Sequence, residues 1–395
     1  MTIQTADVVI IGAGSTGLSA AYELAKAGVN VLVVDRRFLA MEASGRNMGG
    51  IRQVGRDRDD LPLIAAAMRR WRALPEELGC DLELAEDGYL WVALSEKELE
   101  LECALAKRDI PYGIKEYVLD QRNIKEIAPA ISDIVIGGVY SPTDLIANPF
   151  LVAKGYYTNA KRYGAKFLFD TEVTGLKIEG KRIRGVVTTQ GEIATNLIIN
   201  ATGAWSDHIG RMAGIDIPIS PCPDQIILTE PMPAILPSFL LISSIAVCRQ
   251  SKDGHVYIGD TNAPGGISGF SKATNYGGMI LTVTNILKIV PAFRKLNIIR
   301  TWVGTLDFSP DDTCIFGRVE EVEGLILASG CSGHGFALAP ILGQLLCELV
   351  VQGKTTLPVE AFRLDRFKQG NVKKIGGWSH PRMVDTPPQS PKENS

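Results

Sequence analysis

The chain has 395 residues, 46% of them hydrophobic, with a net charge of -3. That balance provides for a large core and excludes the basic footprint of a nucleic-acid binder. The seven cysteines include no CxxC pair, and their odd count fits a reduced compartment better than a complete disulfide framework; the four histidines show no metal-ligand spacing.

The apolar run 8–11, "VVII", reads as a parallel strand buried on both faces. Gly12-Ala13-Gly14-Ser15-Thr16-Gly17 follows, then a helix over 18–27 ended by Gly28, then a second apolar strand over 31–34 that meets Asp35. Gly12 suits the tight turn, Gly14 the close approach of a pyrophosphate, and Gly17 the packing of helix on strand. The helix start offers its positive end to the phosphates, and Asp35 can accept from ribose hydroxyls. Strand, turn, helix, strand and acid in that order specify dinucleotide binding. The fingerprint by itself does not separate NAD from FAD. Arg36 and Arg37 would suit the extra phosphate of NADP, yet they also read as a solvated rim, and Asp35 disfavours that phosphate.

"SGRNMGGIRQVGRDR", residues 44–58, is rich in glycine and arginine and is expected to loop over whatever the fingerprint binds. Residues 61–78 are expected to be helical, 79–94 to alternate as a strand, and 95–109 to form a charged amphipathic helix. A turn-rich stretch leads to a helix over 149–163, followed by several strands joined by glycine turns. The last of these, 197–200, enters "ATGAWS", a second backbone surface suited to a ligand. "PISPCPDQIILTEPMPAILP" reads as a proline-punctuated crossover between domains. Strands are expected near 225–230, 239–248 and 255–259. "GLILASG" is a final buried strand, and "GCSGHGF" precedes a helix over 336–351 whose packing face carries Leu338, Leu342, Leu345, Leu346 and Leu349. Pro340 is expected only near that helix's first turn. No apolar run approaches the roughly 18 residues of a membrane-spanning helix, and no leader precedes the first strand. A cytoplasmic protein is expected, with peripheral membrane association through a partner left open.

The opening fingerprint, "INATGAWS" and "GCSGHGFALAP" occur in the order found in the D-amino-acid oxidase superfamily of flavoproteins, which the chain resembles over residues 6–368. Its glycine and sarcosine oxidase branch is the nearest likeness. Within that branch, "ASGRNMGGIRQVGRDRDDLPLIAAAM" resembles the beta subunits of heteromeric dye-linked dehydrogenases, such as the D-hydroxyproline dehydrogenase, opine oxidase and hydrogen cyanide synthase groups. The resemblance implies an α/β fold: a Rossmann-type FAD-binding domain (1–78, 145–216, 318–368) interrupted by a mixed-sheet α+β substrate domain (79–144, 217–317). A disordered tail is expected over 369–395.

The resemblance also implies the FAD contacts. Gly12 to Gly17, Asp35 and Arg36 would hold the adenine half. Ser44, Arg46, Asn47, Gly49, Gly50, Val173, Ala201, Thr202, Gly203 and Gly304 would line its course. Gly330, Gly333, His334, Gly335 and Phe336 would back the reactive ring, with His334 on the cofactor side rather than acting as a base. Gly304 stands where sarcosine oxidases carry the cysteine that bonds FAD, so non-covalent FAD is implied. Leu306 and Ala337 replace an arginine and a lysine that anchor substrate carboxylates in the branch. The anchor must then come from elsewhere, with Arg46, Arg52, Arg56, Arg249 and His255 as candidates. The implied activity is oxidation of an amino acid or secondary amine by hydride transfer to flavin N5, in a heteromeric dehydrogenase. An alpha-type electron-transfer subunit is the expected partner. FMN or an iron–sulfur carrier would enter only through partner subunits. A self-sufficient oxidase making peroxide, and a flavin electron-transfer subunit without turnover, remain the alternatives.

Overall fold

The structure is a computed structural model that describes residues 4–260 and 269–368; the expected tail at 369–395 lies outside them. A six-stranded sheet runs in the order Ile315–Arg318, Leu325–Ser329, Ile198–Asn200, Val8–Ile11, Val31–Val34 and Lys166–Leu168. All neighbours are parallel except the first pair. The unbroken apolar runs follow from burial on both faces. Val8, Ile10, Val31 and Val33 join a core with the helices Ser15–Lys26, Leu61–Leu78, Pro149–Arg162 and Gly335–Val351. Their alternates Val9, Ile11, Leu32 and Val34 join a second core with Val173, Ile183, Val186 and Ile193 of a four-stranded sheet. Alternation along one strand thus assigns its side chains to two layers.

A second, eight-stranded sheet is ordered Ile298–Phe308, Ser220–Thr229, Val256–Gly259, Val247–Gln250, Leu240–Ile242, Tyr89–Ala93, Gly137–Ser141 and Tyr117–Asp120. Only Leu240–Ile242 against Tyr89–Ala93 is parallel. One face, with Leu90, Val92, Ile227, Leu241 and Ile258, packs on Ile286 and Ile289 of the helix Tyr276–Ile289. The other turns Tyr89, Trp91, Leu240, Ile242 and Val247 toward the first core. The two sheets meet across a space that both line.

Four expectations change. The proline-rich stretch is no bare crossover: Ser220–Thr229 is a ten-residue strand. Pro221 and Pro223 are two apart and so share one lateral side. Pro221's carbonyl on that side accepts from Gly269 N, and the neighbouring strand reaches only Ile226–Leu228, so the missing N–H groups fall on an edge. The strand expected at 239–248 splits into a hairpin, Leu240–Ile242 with Val247–Gln250. Of 79–94, only Tyr89–Ala93 is strand, and all five of its residues are buried. Finally, the last helix runs through Pro340. A proline inside a helix has no N–H for the carbonyl four residues back, here that of Phe336. The next carbonyl, that of Ala337, accepts from the buried Trp71 Nε1 at 2.8 Å. Among the described residues no helix is long and apolar enough to cross a membrane.

Candidate active site

Three parallel strands end side by side at Ile11, Asn200 and Ser329, and each enters a loop of small residues. Ligands of open α/β sheets bind at such carboxyl edges. Gly12 has φ +105°, and a Cβ there would lie 2.5 Å from the Ala201 carbonyl oxygen. A Cβ on Gly17 would lie 2.0 Å from the Gly12 oxygen, so this glycine sets the closeness of helix and strand. Helix Ser15–Lys26 starts without a side-chain cap or an acid in its first turn. Ser44 Oγ accepts from Ser15 N at 2.9 Å, and the positive helix end otherwise faces a cleft. Asp35 holds the turn from below, accepting from Ala13 N at 2.7 Å and Arg37 N at 2.8 Å.

That cleft encloses about 1440 Å³ of empty space, its open mouth included. Gly12 to Thr16, Asp35, Arg36, Ser44, Asn47, Val173, Ala201, Thr202 and Gly203 line one end. There the Arg36 guanidinium lies 4.1 Å from the ring centre of Trp205, which stacks on Phe270. The other end is lined by Thr305, Leu306, Asp307, Cys331, Gly333, Gly335 and Phe336. Here helix Gly335–Val351 begins, again with no side-chain cap and no acid in its first turn. Two helix ends in one elongated cleft, neither with an acid in its first turn, suit a ligand with an anionic pyrophosphate and a second, distant centre that gathers negative charge. These features fit FAD: Gly14 to Thr16 would hold its phosphates and Gly333 to Phe336 its ring.

The loop before the last helix is held by a residue the motifs did not indicate. Gly330, Ser332 and Gly333 all have positive φ, Ser332 at +47°, a strained value for a residue with a Cβ. Asp307 secures them: its Oδ2 accepts from Cys331 N at 3.1 Å and its carbonyl from Ser332 N at 3.0 Å. Burial pushes the Asp307 carboxyl up to about 6. Gly330 is a turn residue rather than part of the ring platform; its Cβ position faces Ile219 and Ile315.

A second chamber, about 860 Å³ with its opening, shares Asn47, Leu306, Gly333 and Phe336 with the cleft. The eight-stranded sheet supplies Trp91, Asp224, Ile226, Leu240, Ile242 and Val247, with Asp260 just beyond a strand end. The facing wall has Met48, Gly50, Arg52, Arg56, His334 and Ala337. Arg52 Nη2 lies 3.1 Å from His334 Nε2. A guanidinium only donates, so His334 Nε2 is the acceptor, which agrees with a supporting rather than a base role. Arg56 is 2% exposed. Its Nε donates to the Arg52 carbonyl at 3.0 Å, while its Nη1 has no hydrogen-bond partner. Burial, with the Arg52 charge, pushes the Arg56 guanidinium down to about 9, which leaves it cationic at neutral pH. Behind this wall, Asp144 Oδ1 accepts from Gln53 N at 3.2 Å, and Arg108 Nη2 donates to the Arg56 carbonyl at 2.7 Å. Burial raises Asp144 to about 6, Glu102 to about 7 and Glu116 to about 8.

The structure does not bring every candidate to these cavities. His255 lines neither; its Nδ1 lies 2.8 Å from the Thr229 carbonyl and its Nε2 3.7 Å from Asp253, so the expectation of a substrate anchor is corrected to a strand-edge role. Arg249 lies over the Tyr257 ring. Arg46 is a clamp between segments: its Nε donates to the Met41 carbonyl at 2.8 Å, its Nη1 to the Val303 carbonyl, and its own carbonyl accepts from Trp302 Nε1. Gly304 backs onto Arg46 and Ala43, and Gly49 onto the Ala147 carbonyl, so both shape the walls from behind. Cys331 does line the cleft, yet burial holds its thiol well above the usual range, which keeps it unreactive. Asp224, Asp260, Asp307 and Trp91 were not indicated by any motif.

Residues 7–349 match the family described as DAO, FAD dependent oxidoreductase. The chain is 29% identical to hydrogen cyanide synthase subunit HcnC of Pseudomonas aeruginosa, over 92% of this chain and 97% of that protein. It is 27% identical to sarcosine oxidase subunit beta of Rhodobacter capsulatus, over 92% and 89% respectively. Among solved structures it is similar to L-proline dehydrogenase from P. horikoshii, at 33% identity and a TM-score of 0.88, over 94% of this chain and all of that one. The fold, the cleft and these relatives agree: the chain belongs to the DAO family and is an FAD-dependent amine or amino-acid oxidoreductase.

Proposed function

We propose that this chain is the catalytic subunit of a heteromeric dehydrogenase that oxidises the carbon–nitrogen bond of an amino acid or secondary amine. The observation that carries the reading is the continuity of the two cavities. Leu306, Gly333 and Phe336 belong to both, so a small molecule beside Arg52 would lie against the ring end of the cofactor cleft. FAD, when bound, supplies the two-electron acceptor for a hydride leaving the carbon next to nitrogen. The protein's part is placement. The first helix end receives the pyrophosphate, and the last helix end faces the edge where negative charge collects. Leu306 and Ala337 leave no cation at the positions used elsewhere in the branch. Arg52 is then the carboxylate anchor, its fork held by His334. Arg56 adds charge from behind. The absence of cysteine at Gly304, and a Cys331 thiol kept protonated, support non-covalent FAD.

Sheet membership supports a cofactor domain (1–78, 145–216, 318–368) interrupted by a substrate domain (79–144, 217–317), with the last boundary moved ahead of residue 315, because the strand Ile315–Arg318 belongs to the cofactor sheet. Relatives named as subunits support an electron-transfer partner, and a cytoplasmic location fits that assembly. L-proline dehydrogenase among the similar structures favours proline-like and N-alkyl amino acids as first substrates. The test is anaerobic bleaching of the flavin in the purified chain by a panel of amino acids and secondary amines. Bleaching followed by slow reoxidation in air and fast reoxidation by a dye is the expected result. Peroxide formation at the turnover rate would instead identify an oxidase, and no bleaching by any amine would leave only an electron-transfer role.

A further inference from the structure

Resting on that reading, we propose that Asp224 recognises the substrate's amino group and accepts its proton, and that it selects monocarboxylic amino acids over dicarboxylic imino acids of the opine type. The argument is the polarity of the chamber. Asp224 and Ile226 are two apart on one strand and so project from the same sheet face; both line the chamber. Asp224 keeps some accessible surface and lines the chamber. Asp260 lines the chamber as well. The facing wall carries Arg52 and the buried Arg56, whose Nη1 has no partner. The remaining walls are mostly apolar, with Trp91, Leu240 and Ile242 among them. A box with cations on one wall and carboxyls on another matches a zwitterion, with carboxylate on Arg52 and ammonium on Asp224. A second carboxylate on the substrate's nitrogen arm would meet Asp224 and Asp260 in a poorly hydrated space, where like charges repel and neither is solvated.

The chemistry needs such a group. An ammonium has no lone pair to expel a hydride from the neighbouring carbon. One N–H bond of the substrate breaks and one O–H bond forms on the Asp224 carboxylate, leaving a neutral amine. The neutral amine then has the lone pair that hydride loss from the neighbouring carbon requires; FAD, when bound, would supply the acceptor of that hydride, leaving the substrate as an iminium. The proton on Asp224 later passes to solvent. Burial first, and then the neighbouring Asp260, push the Asp224 carboxyl up to about 7, where it can both take and release a proton. Arg52, Arg56, His334 and Asp260 line the same chamber, and Cys222 shares the Asp224 strand.

The test uses the FAD-loaded full chain in anaerobic stopped flow, with L- and D-proline, sarcosine and iminodiacetate. In the native protein, kcat/KM for the best monocarboxylic amine is expected to exceed that for iminodiacetate by at least about tenfold, and to rise through an acid limb near pH 7. Asp224→Asn is expected to lower that kcat/KM about 100-fold, to move the limb to the ionisation of the substrate's own ammonium, and to narrow the preference over iminodiacetate. The flavin spectral shift caused by tetrahydrofuran-2-carboxylate, which has the carboxylate but no amine, should be unchanged. Asp260→Asn, which keeps the acceptor, should shift the limb to lower pH, and it carries the test should the first variant fail to hold flavin. A native limb that persists in Asp224→Asn, or iminodiacetate oxidised as fast as the monocarboxylic amines, overturns the inference and leaves the proposed function standing. No bleaching of the native protein by any amine overturns both.

Discussion

The cofactor cleft and the substrate chamber share four lining residues but are built from different materials. The cleft is made of backbone: two helix ends, loops of small residues, and glycines whose missing Cβ lets one chain segment touch another. Its specificity is for shape and phosphate charge. The chamber is made of side chains from strands and loops far apart in sequence. Arg52 and His334 are separated by 282 positions, and Asp224 comes from a third place in the chain. The lesson is that a shared cofactor platform tolerates wide changes in the chamber beside it, since the two have few atoms in common.

The harshest way to break this contrast is Gly17→Ala. The new Cβ would lie 2.0 Å from the Gly12 oxygen, and backbone on both sides cannot move aside cheaply. A loss of about 3 kcal/mol or more is expected, read as a fall in the urea midpoint, with flavin absent from the purified protein. Retention of FAD at native stoichiometry would refute a cleft built on backbone contact. Arg52→Ala should do the reverse, leaving flavin content intact while raising KM for a carboxylate substrate by about 10- to 100-fold, the range for a lost hydrogen bond to a charged group. Lysine at the same place should restore only part of it, having no fork to share between carboxylate and His334.

A third measurement compares the two regions through pH. Burial lifts Asp144, Glu102 and Glu116 behind the chamber wall, and Asp224 within it, to about 6, 7, 8 and 7. Unfolded carboxyls titrate near 4. Between those values the folded state holds more protons than the unfolded state, so stability falls as pH rises from about 4 to about 8. The slope is about 1.4 kcal/mol per pH unit for each extra proton held. Urea unfolding of the flavin-free protein at pH 5, 6.5 and 8 reads it. Glu116→Gln should flatten the upper part of the slope most, since Glu116 is pushed highest of the four. The smallest effect is expected at His255. His255→Ala should leave flavin content and the bleaching rate within about twofold, and cost about 1 kcal/mol for the bond to the Thr229 carbonyl.

Much of the cofactor half was legible because its determinants are local. The run 8–11, the Gly12 to Gly17 turn and the acid at 35 lie within thirty or so positions, and each carries its own stereochemical reason. The final helix was legible for the same reason, its packing leucines repeating at helical spacing. What escaped was whatever periodicity does not mark. Asp307 lies on the strand Ile298–Phe308 with no motif around it, yet it holds a loop more than twenty residues away. Asp224 sits among prolines that suggested a crossover, because only the sheet order shows that their missing N–H groups fall on an edge. His255 and Arg249 had the right chemistry in the right domain, but neither lines the cleft or the chamber.

The sequence by itself determined the class of cofactor, the interrupted nucleotide-binding sheet, and the amino-acid or amine chemistry implied by the family. Those depend on backbone conformation and helix placement, which short stretches encode. Only the tertiary structure decided which arginine reaches the chamber, which carboxyl faces it, and that Gly330 bends a loop while Gly333 lines both cavities. These depend on the direction of side chains brought together across two sheets, and no stretch of sequence carries that direction until the layers have packed.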